Sequence, residues 1–206
     1  MTKFPLRTKR KMATREKLVS AARQLFLSKG YDNTTLEEIA ELAGLHVQTL
    51  YRHFGTKQDL AKAGDEHWYR AFESAIREKP DTQSTLQFWR EWMTTTTEEL
   101  LEEGEMYRSH LRMRTMSPAI LGATIAIRNR YEDLLTNYIA QDFNMSPDGV
   151  SIPRLVAGML LSGNDHARRL YEQGGSDIKN DTEKVVDLTI QLVGHLDRQH
   201  AHEDAI

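Results

Sequence analysis

The sequence predicts an all-α protein in which a small three-helix, helix-turn-helix head, residues 1–57, is followed by a larger helical body, residues 58–206. Apolar residues recur at three- and four-residue spacing along almost the whole chain. The stretch from Thr34 to Lys57 reads as a short helix, a tight glycine turn and a second short helix. Charge is divided between the parts. The head carries 11 Lys and Arg against 5 Asp and Glu, a net of +6, whereas the body carries 16 against 25, a net of −9. A basic head suits a polyanion, and the acidic body resists lying on one.

The first helix is announced over Thr14 to Lys29 by the stripe Leu18, Ala21, Ala22, Leu25 and Phe26, with Gly30 as its stop. Before it, the arm Lys3 to Arg15, with Arg7, Lys9, Arg10 and Lys11, has little apolar content and is expected to be disordered in isolation. Such a run is most often a solvated tail, but beside a DNA-reading helix it can reach phosphates or a minor groove.

Thr35 and Glu38 form a capping box that starts the second helix at Leu36. Leu36, Ile39, Ala40 and Ala43 share its buried face. Gly44 ends it by taking the left-handed conformation, and Leu45 returns the chain to the core. The next helix starts at about His46. Leu50 and Phe54 point with Leu45 into the core, while Val47, Gln48, Thr49, Tyr51, Arg52 and His53 cover the remaining faces. So many polar residues on so short a helix suggest a surface that reads something, and the short glycine turn sets the angle that lets a second helix enter a major groove. An ordinary helical hairpin would give the same fragment. Thr56 and Asp59 form a further cap pair, with Lys57 in the first turn of its helix. A lysine is unfavourable at the positive helix end, and a phosphate bound there would account for it.

The run from Arg15 to about Trp68 resembles the N-terminal domain of the tetracycline-repressor (TetR) family of bacterial transcriptional regulators. The resemblance rests on AARQLFLSKGYDNTTLEEIAELAG and LHVQTLYRHFGTKQDL. It covers about a quarter of the chain; the rest is similar in length and helical character. It implies a DNA-binding domain followed by a ligand-binding and dimerisation domain. Val47 and Gln48 then occupy positions that face base edges, and Thr49, Tyr51, His53 and Lys57 positions that contact phosphates; Thr35, His46 and Arg52 complete the DNA-binding candidates. Gln48 suits adenine and Val47 a thymine methyl. Tyr51 also reads as a core edge with an exposed hydroxyl. His46 stands where many members of the family carry a small hydroxyl residue that caps this helix, and a histidine caps poorly.

In the body, one long helix is expected from Asp59 to about Glu78, ended by Pro80, and another from Thr82 to about Glu103, ended by Gly104. A shorter segment, Glu105 to Met116, precedes a helix opened by Ser117-Pro118 and running to about Phe143. Asn144 to Ser151 is the expected loop. Helices from Ile152 to Gln173 and Thr182 to Gln199 close the chain around a Gly174-Gly175-Ser176-Asp177 turn. By the resemblance, these last two helices pair with those of a second subunit. The interface candidates are Leu155, Met159, Ser162, Gly163, His166, Leu170, Leu188, Leu192 and Leu196, with Ser162 and Gly163 permitting close approach; packing onto their own body is the plainer reading. A homodimer also follows from DNA geometry. One helix-turn-helix reads few base pairs, and a two-fold pair spans a palindromic operator with heads about 34–36 Å apart.

Trp89, Trp92, Met93, Tyr107, Leu111, Met113 and Met159 are candidates for an effector pocket, although such residues also fill ordinary cores. Arg108, Arg112, Arg114, Arg128 and Arg130 are either a solvated face or a mouth for the head group of a fatty acid or acyl-coenzyme A. A repressor released by a small apolar or amphipathic ligand is expected; a regulator controlled by a protein partner is the alternative. No enzyme is expected, since HExxH, GxSxG, a glycine-rich phosphate loop and cysteine are all absent from the sequence. No cofactor or metal is expected either: His195, His200 and His202, with Glu203 and Asp204, fall on a fraying terminus without orienting partners. Residues 1–30 lack a secretory apolar core and no segment reads as a membrane span, so a cytoplasmic location is expected.

Overall fold

The computed structural model describes residues 4–102, 104, 108, 111 and 118–193, the side chains of 4–9 and 118–119 excepted. Among these residues there are nine helices and no strand: α1 Phe4–Lys29, α2 Leu36–Leu42, α3 Val47–His53, α4 Lys57–Ala61, α5 Ala63–Arg77, α6 Thr85–Glu102, α7 Pro118–Asp142, α8 Ile152–Glu172 and α9 Ile178–Val193. Most of the segment Glu105 to Met116, including Tyr107, Met113, Arg112 and Arg114, lies outside the described residues. So do Leu196 and the terminal histidines.

The arm expected to lack order on its own is instead the first half of α1. Pro5 falls in the first turn, where its missing N–H costs nothing. From Leu6 to Lys29 there is no glycine or proline. The buried half of the helix supplies the nucleus, and propagation from it is cheap.

The chain divides into two compact units, 1–68 with 109–125, and 69–108 with 126–206. The first is built on Leu18, Ala22 and Phe26 of α1, Ile39 and Ala40 of α2, Leu50 of α3, Phe54, and Leu60 of α4, with Ala63 and Ile120 joining them. Each large side chain fully buried there contributes about 1.5–3 kcal/mol. The sequence boundary after Lys57 therefore falls inside this unit: Leu60, Ala61 and Ala63 complete the head's own core.

The long helix expected from Asp59 is interrupted at Lys62, which caps α4 with its N–H on the Gln58 carbonyl. Helix resumes when the Lys62 carbonyl accepts from Glu66 N–H at 2.9 Å. Gly64, a poor helix former, sits in the first turn of α5.

The second unit is a helical bundle around Phe72 and Ile76 of α5, Trp89 and Met93 of α6, Leu135 and Ile139 of α7, Leu160 of α8 and Val186 of α9. Phe72 packs edge-on to Trp89 at 5.3 Å between ring centroids and lies 5.0 Å from Tyr131. α9 lies against both α8 and α6. Two helix starts differ from expectation. Ser84 and Gln87 form a capping box, with Ser84 N–H on Gln87 Oε1 and Gln87 N–H on Ser84 Oγ, both at 3.2 Å, so α6 opens at Thr85 rather than Thr82. Asp177, placed in the turn from sequence, accepts from the N–H groups of Lys179 and Asn180 through Oδ1. That cap starts α9 four residues early, at Ile178.

Candidate nucleic-acid interface

The capping box of α2 forms as its sequence dictates. Thr35 Oγ1 accepts from Glu38 N–H at 3.2 Å, and Glu38 Oε2 accepts from Thr35 N–H at 3.0 Å. Lys29 also bonds the Glu38 carboxylate, and its side-chain hydrogen bond is the main reason that this carboxyl's pKa is lowered to about 2. Thr35, itself exposed, thus has its oxygen committed to the helix start. Gly44, at φ +68°, makes the turn that the sequence assigned to it.

α3 hangs on Leu50, fully buried, and on Phe54, 3% exposed. His46 is its N-cap and makes no side-chain cap hydrogen bond, as expected of a histidine there. Gln48, Tyr51 and Arg52 are exposed at i, i+3 and i+4 and share one face. Val47 is half-buried and packs against the head's core, so only part of it is open to a partner. Thr49 is half-buried and its hydroxyl accepts from Arg52 Nη2 at 3.4 Å. Arg52 and His53 occupy the last turn of α3, where positive charge complements the helix dipole.

The extension of α1 adds charge to this face. Lys11 and Arg15 are four residues apart, and both lie near enough to His53 to act on it electrostatically. The Arg15 guanidinium sits 4.2 Å from the centroid of the Phe54 ring. Partial burial above all, then Lys11, Arg52 and Arg15, hold the His53 imidazole below its ordinary pKa. Lys11, Arg15 and Arg52 thus gather positive charge around His53, an arrangement that favours a bound anion. The sequence showed these charges, but reading residues 3–15 as a loose arm hid the i, i+4 register that brings Lys11 and Arg15 to α3.

Lys57 is held differently from expectation. Its ammonium donates to the carbonyls of Tyr31 at 2.8 Å, Thr34 at 2.9 Å and Asp32 at 3.3 Å. It also lies 4.5 Å from the centroid of the Tyr31 ring. These carbonyls compensate the lysine at the start of α4.

The other candidates divide between interior and surface. Trp89 and Met93 are buried in the second unit and Trp92 packs against its core. Leu111 is buried but belongs to the first unit. Met159 is 37% exposed and does not line an interior with Trp89. Leu155, Met159, Ser162 and His166 are exposed along α8, as are Leu188 and Leu192 on α9, whereas Leu170 is half-buried. Gly163, expected to admit a second subunit, instead admits Val185 of α9: a Cβ built on it would overlap the Val185 side chain. Among the described residues no group of His, Asp and Glu could hold a metal, and no helix is long and apolar enough to cross a membrane.

A buried scaffold presenting a short polar helix beside a cluster of cations defines a helix-turn-helix nucleic-acid-binding head. The comparisons agree. The profile described as "Bacterial regulatory proteins, tetR family" matches residues 18–63. The chain is 26% identical over 181 residues to the HTH-type transcriptional regulator TcmR of Streptomyces glaucescens, covering 84% of this chain and 80% of that one. A match to the regulator YvkB of Bacillus subtilis, 44% identical over 50 residues, covers only 24% of this chain and 26% of that one. Among solved structures, SmeT, titled the repressor of the Stenotrophomonas maltophilia multidrug efflux pump SmeDEF, is 25% identical with a TM-score of 0.67, over 86% of this chain and 89% of that one. A complex of SmeT with triclosan gives a TM-score of 0.66, at 25% identity over 87% and 91% of the two chains. Residues 18–63 carry the DNA-binding domain of the TetR family of transcriptional regulators, and most of the chain is similar to regulators of that family.

Proposed function

We propose that this regulator is a homodimeric repressor that reads a palindromic operator with α3 and releases it on binding a small apolar or amphipathic effector. The observation that carries the reading is the pairing of a polar, cation-ringed α3 with an unpartnered apolar row on the last two helices. Leu155 is 56% exposed, Leu188 47% and Leu192 63%. Water disfavours so much contiguous apolar surface, and a second copy of the same row covers it. Within the head, Gln48 contacts base edges with the exposed part of Val47. Thr49, Tyr51, Arg52 and His53, with Lys11 and Arg15, neutralise phosphates.

The aromatic interior of the second unit, with Trp89, Trp92 and Met93, supports an apolar effector, as does the SmeT complex with triclosan. The acyl-coenzyme A version of that effector has less support. Arg128 is bonded to Glu132, Asp165 and Ser162, Arg130 lies over the Tyr69 ring, and Arg108 over the Tyr171 ring. The effector acts by favouring a state whose heads no longer match successive major grooves, and α5 carries the shift. Equal affinity for the two states would move nothing.

The test is selection of duplexes from a random pool, followed by counting chains per duplex. Two chains on an inverted repeat, with half-sites about 34–36 Å apart, are expected. Leu155→Glu with Leu192→Glu yields a monomer that binds the duplex weakly. One chain per selected site, or a monomeric native protein, contradicts the reading.

A further inference from the structure

The interior of the second unit contains polar side chains that nothing satisfies. Asn164 on α8 is 2% exposed, and among the described residues neither its amide oxygen nor its amide nitrogen has a hydrogen-bond partner. Trp89 on α6 is also 2% exposed, with its indole Nε1 unpartnered. Asn164 lies on the inward face of α8, one turn beyond Leu160 and Leu161 and before Ala167, all three buried. Leucine would fill the same position without leaving polar atoms unpaired, so the amide is costly for packing alone.

The two residues sit about one helical turn apart in height. Gly163 meets Val185 across the α8–α9 seam. On the other side of α9, Asp187 pairs with Arg90 and Lys179 with Glu98, so α9 and α6 run antiparallel. That register sets Val185 level with about Trp92, and Trp89 about one turn, roughly 6 Å, along the axis from Asn164. The polar residues buried as a whole among the described residues are threonines and this asparagine, and none is charged. The cations nearest this interior, Arg90 and Lys79, are already paired with Asp187 and Asp142, so a carboxylate or phosphate drawn to this level would lose its water and have to compete with those carboxylates for a cation.

From this we infer that Asn164 and Trp89 form the polar end of the effector site, and that the effector is an uncharged molecule with a hydrogen-bond donor and acceptor on an apolar frame. The inference rests on the reading that this unit takes a small molecule, and it deepens that reading by naming the effector's chemistry. The indole N–H donates to the effector's acceptor, while the amide oxygen accepts from its donor and the amide N–H₂ is available to a second acceptor. The binding contrast follows from pairing. An effector lacking these groups leaves buried polar atoms unsatisfied, a stronger discrimination than apolar fit alone provides.

The test uses the full chain and two probes that share one frame. N-phenyl-1-naphthylamine is uncharged and carries an N–H; 8-anilino-1-naphthalenesulfonate adds an anion to the same rings. Fluorescence titration should show the uncharged probe binding at least about tenfold more tightly than the sulfonate. Asn164→Leu should weaken the uncharged probe about tenfold, Trp89→Phe should leave its affinity within about threefold because the probe lacks a carbonyl, and operator affinity should fall on adding the uncharged probe to the native protein. Without probe, Asn164→Leu should raise the Tm by a few degrees, because it removes unsatisfied polar atoms.

Tight binding of the sulfonate with weak binding of the uncharged probe would overturn the proposal and leave the effector reading standing. A lowered Tm of Asn164→Leu with unchanged affinity for the uncharged probe would do the same, marking the amide as structural. Failure of both probes to bind would overturn the proposal and the effector reading together.

Discussion

The Lys57 ammonium lies 4.5 Å from the centroid of the Tyr31 ring and donates to the carbonyl of the same residue at 2.8 Å. The start of α4 is thereby tied to the turn that leaves α1, across 26 residues of sequence. Three charge-assisted hydrogen bonds and a ring face give this one side chain a large share in the geometry that presents α3.

Replacing Lys57 by methionine should therefore lower the stability of the head by about 1–3 kcal/mol, measured by urea unfolding. It should weaken binding to every DNA sequence through the displaced α3, while the slope of log affinity against log salt stays unchanged. A slope reduced by about 0.9 with unaltered stability would make Lys57 a phosphate ligand instead.

The imidazole of His53 gives the head a pH dependence of opposite sign with and without DNA. Its pKa is lowered in the free chain by burial first and by Lys11, Arg52 and Arg15 next. Protonation is thus disfavoured in the folded state, and the free head loses stability as pH falls through the unfolded histidine's value of about 6.5. A phosphate beside His53 reverses the local field, so DNA binding takes up a proton and affinity rises as pH falls from about 8 to about 6. The gain beyond that of His53→Gln should be about tenfold at most, read by fluorescence anisotropy at fixed salt. Equal pH profiles for the two proteins would remove His53 from the interface.

Gly163 holds α8 against α9. An alanine there gains about 0.5–1 kcal/mol in helix propensity but forces the Val185 side chain aside, at about 1–3 kcal/mol. Gly163→Ala should be net destabilising by thermal unfolding, and Val185→Ala in the same chain should recover most of the loss. A more stable Gly163→Ala single variant would show that the seam has room.

The local chemistry of the head was legible because its signals act within four residues. Thr35 with Glu38, Gly44, and Thr56 with Asp59 each form in the structure what the sequence spelled. Ser84 with Gln87 carries the same signature, but the apolar period placed the start of α6 at Thr82 and obscured it. The break at Lys62 had no breaker to announce it except Gly64, two residues on. The contacts of Lys57 and Gly163 were hidden for a different reason. Their partners, the carbonyls after α1 and Val185 of α9, are brought to them only by tertiary packing. Asn164 escaped notice because an inward-facing amide is invisible until the face of α8 is known.

The central claim is that α3 reads sequence through Gln48, and it is tested most directly by titrating Gln48→Ala against the selected duplex and a random one at matched salt. The account predicts a loss of about 1–3 kcal/mol on the selected duplex and almost none on the random one. Equal losses on both duplexes would contradict base readout by Gln48 and reduce α3 to a phosphate contact.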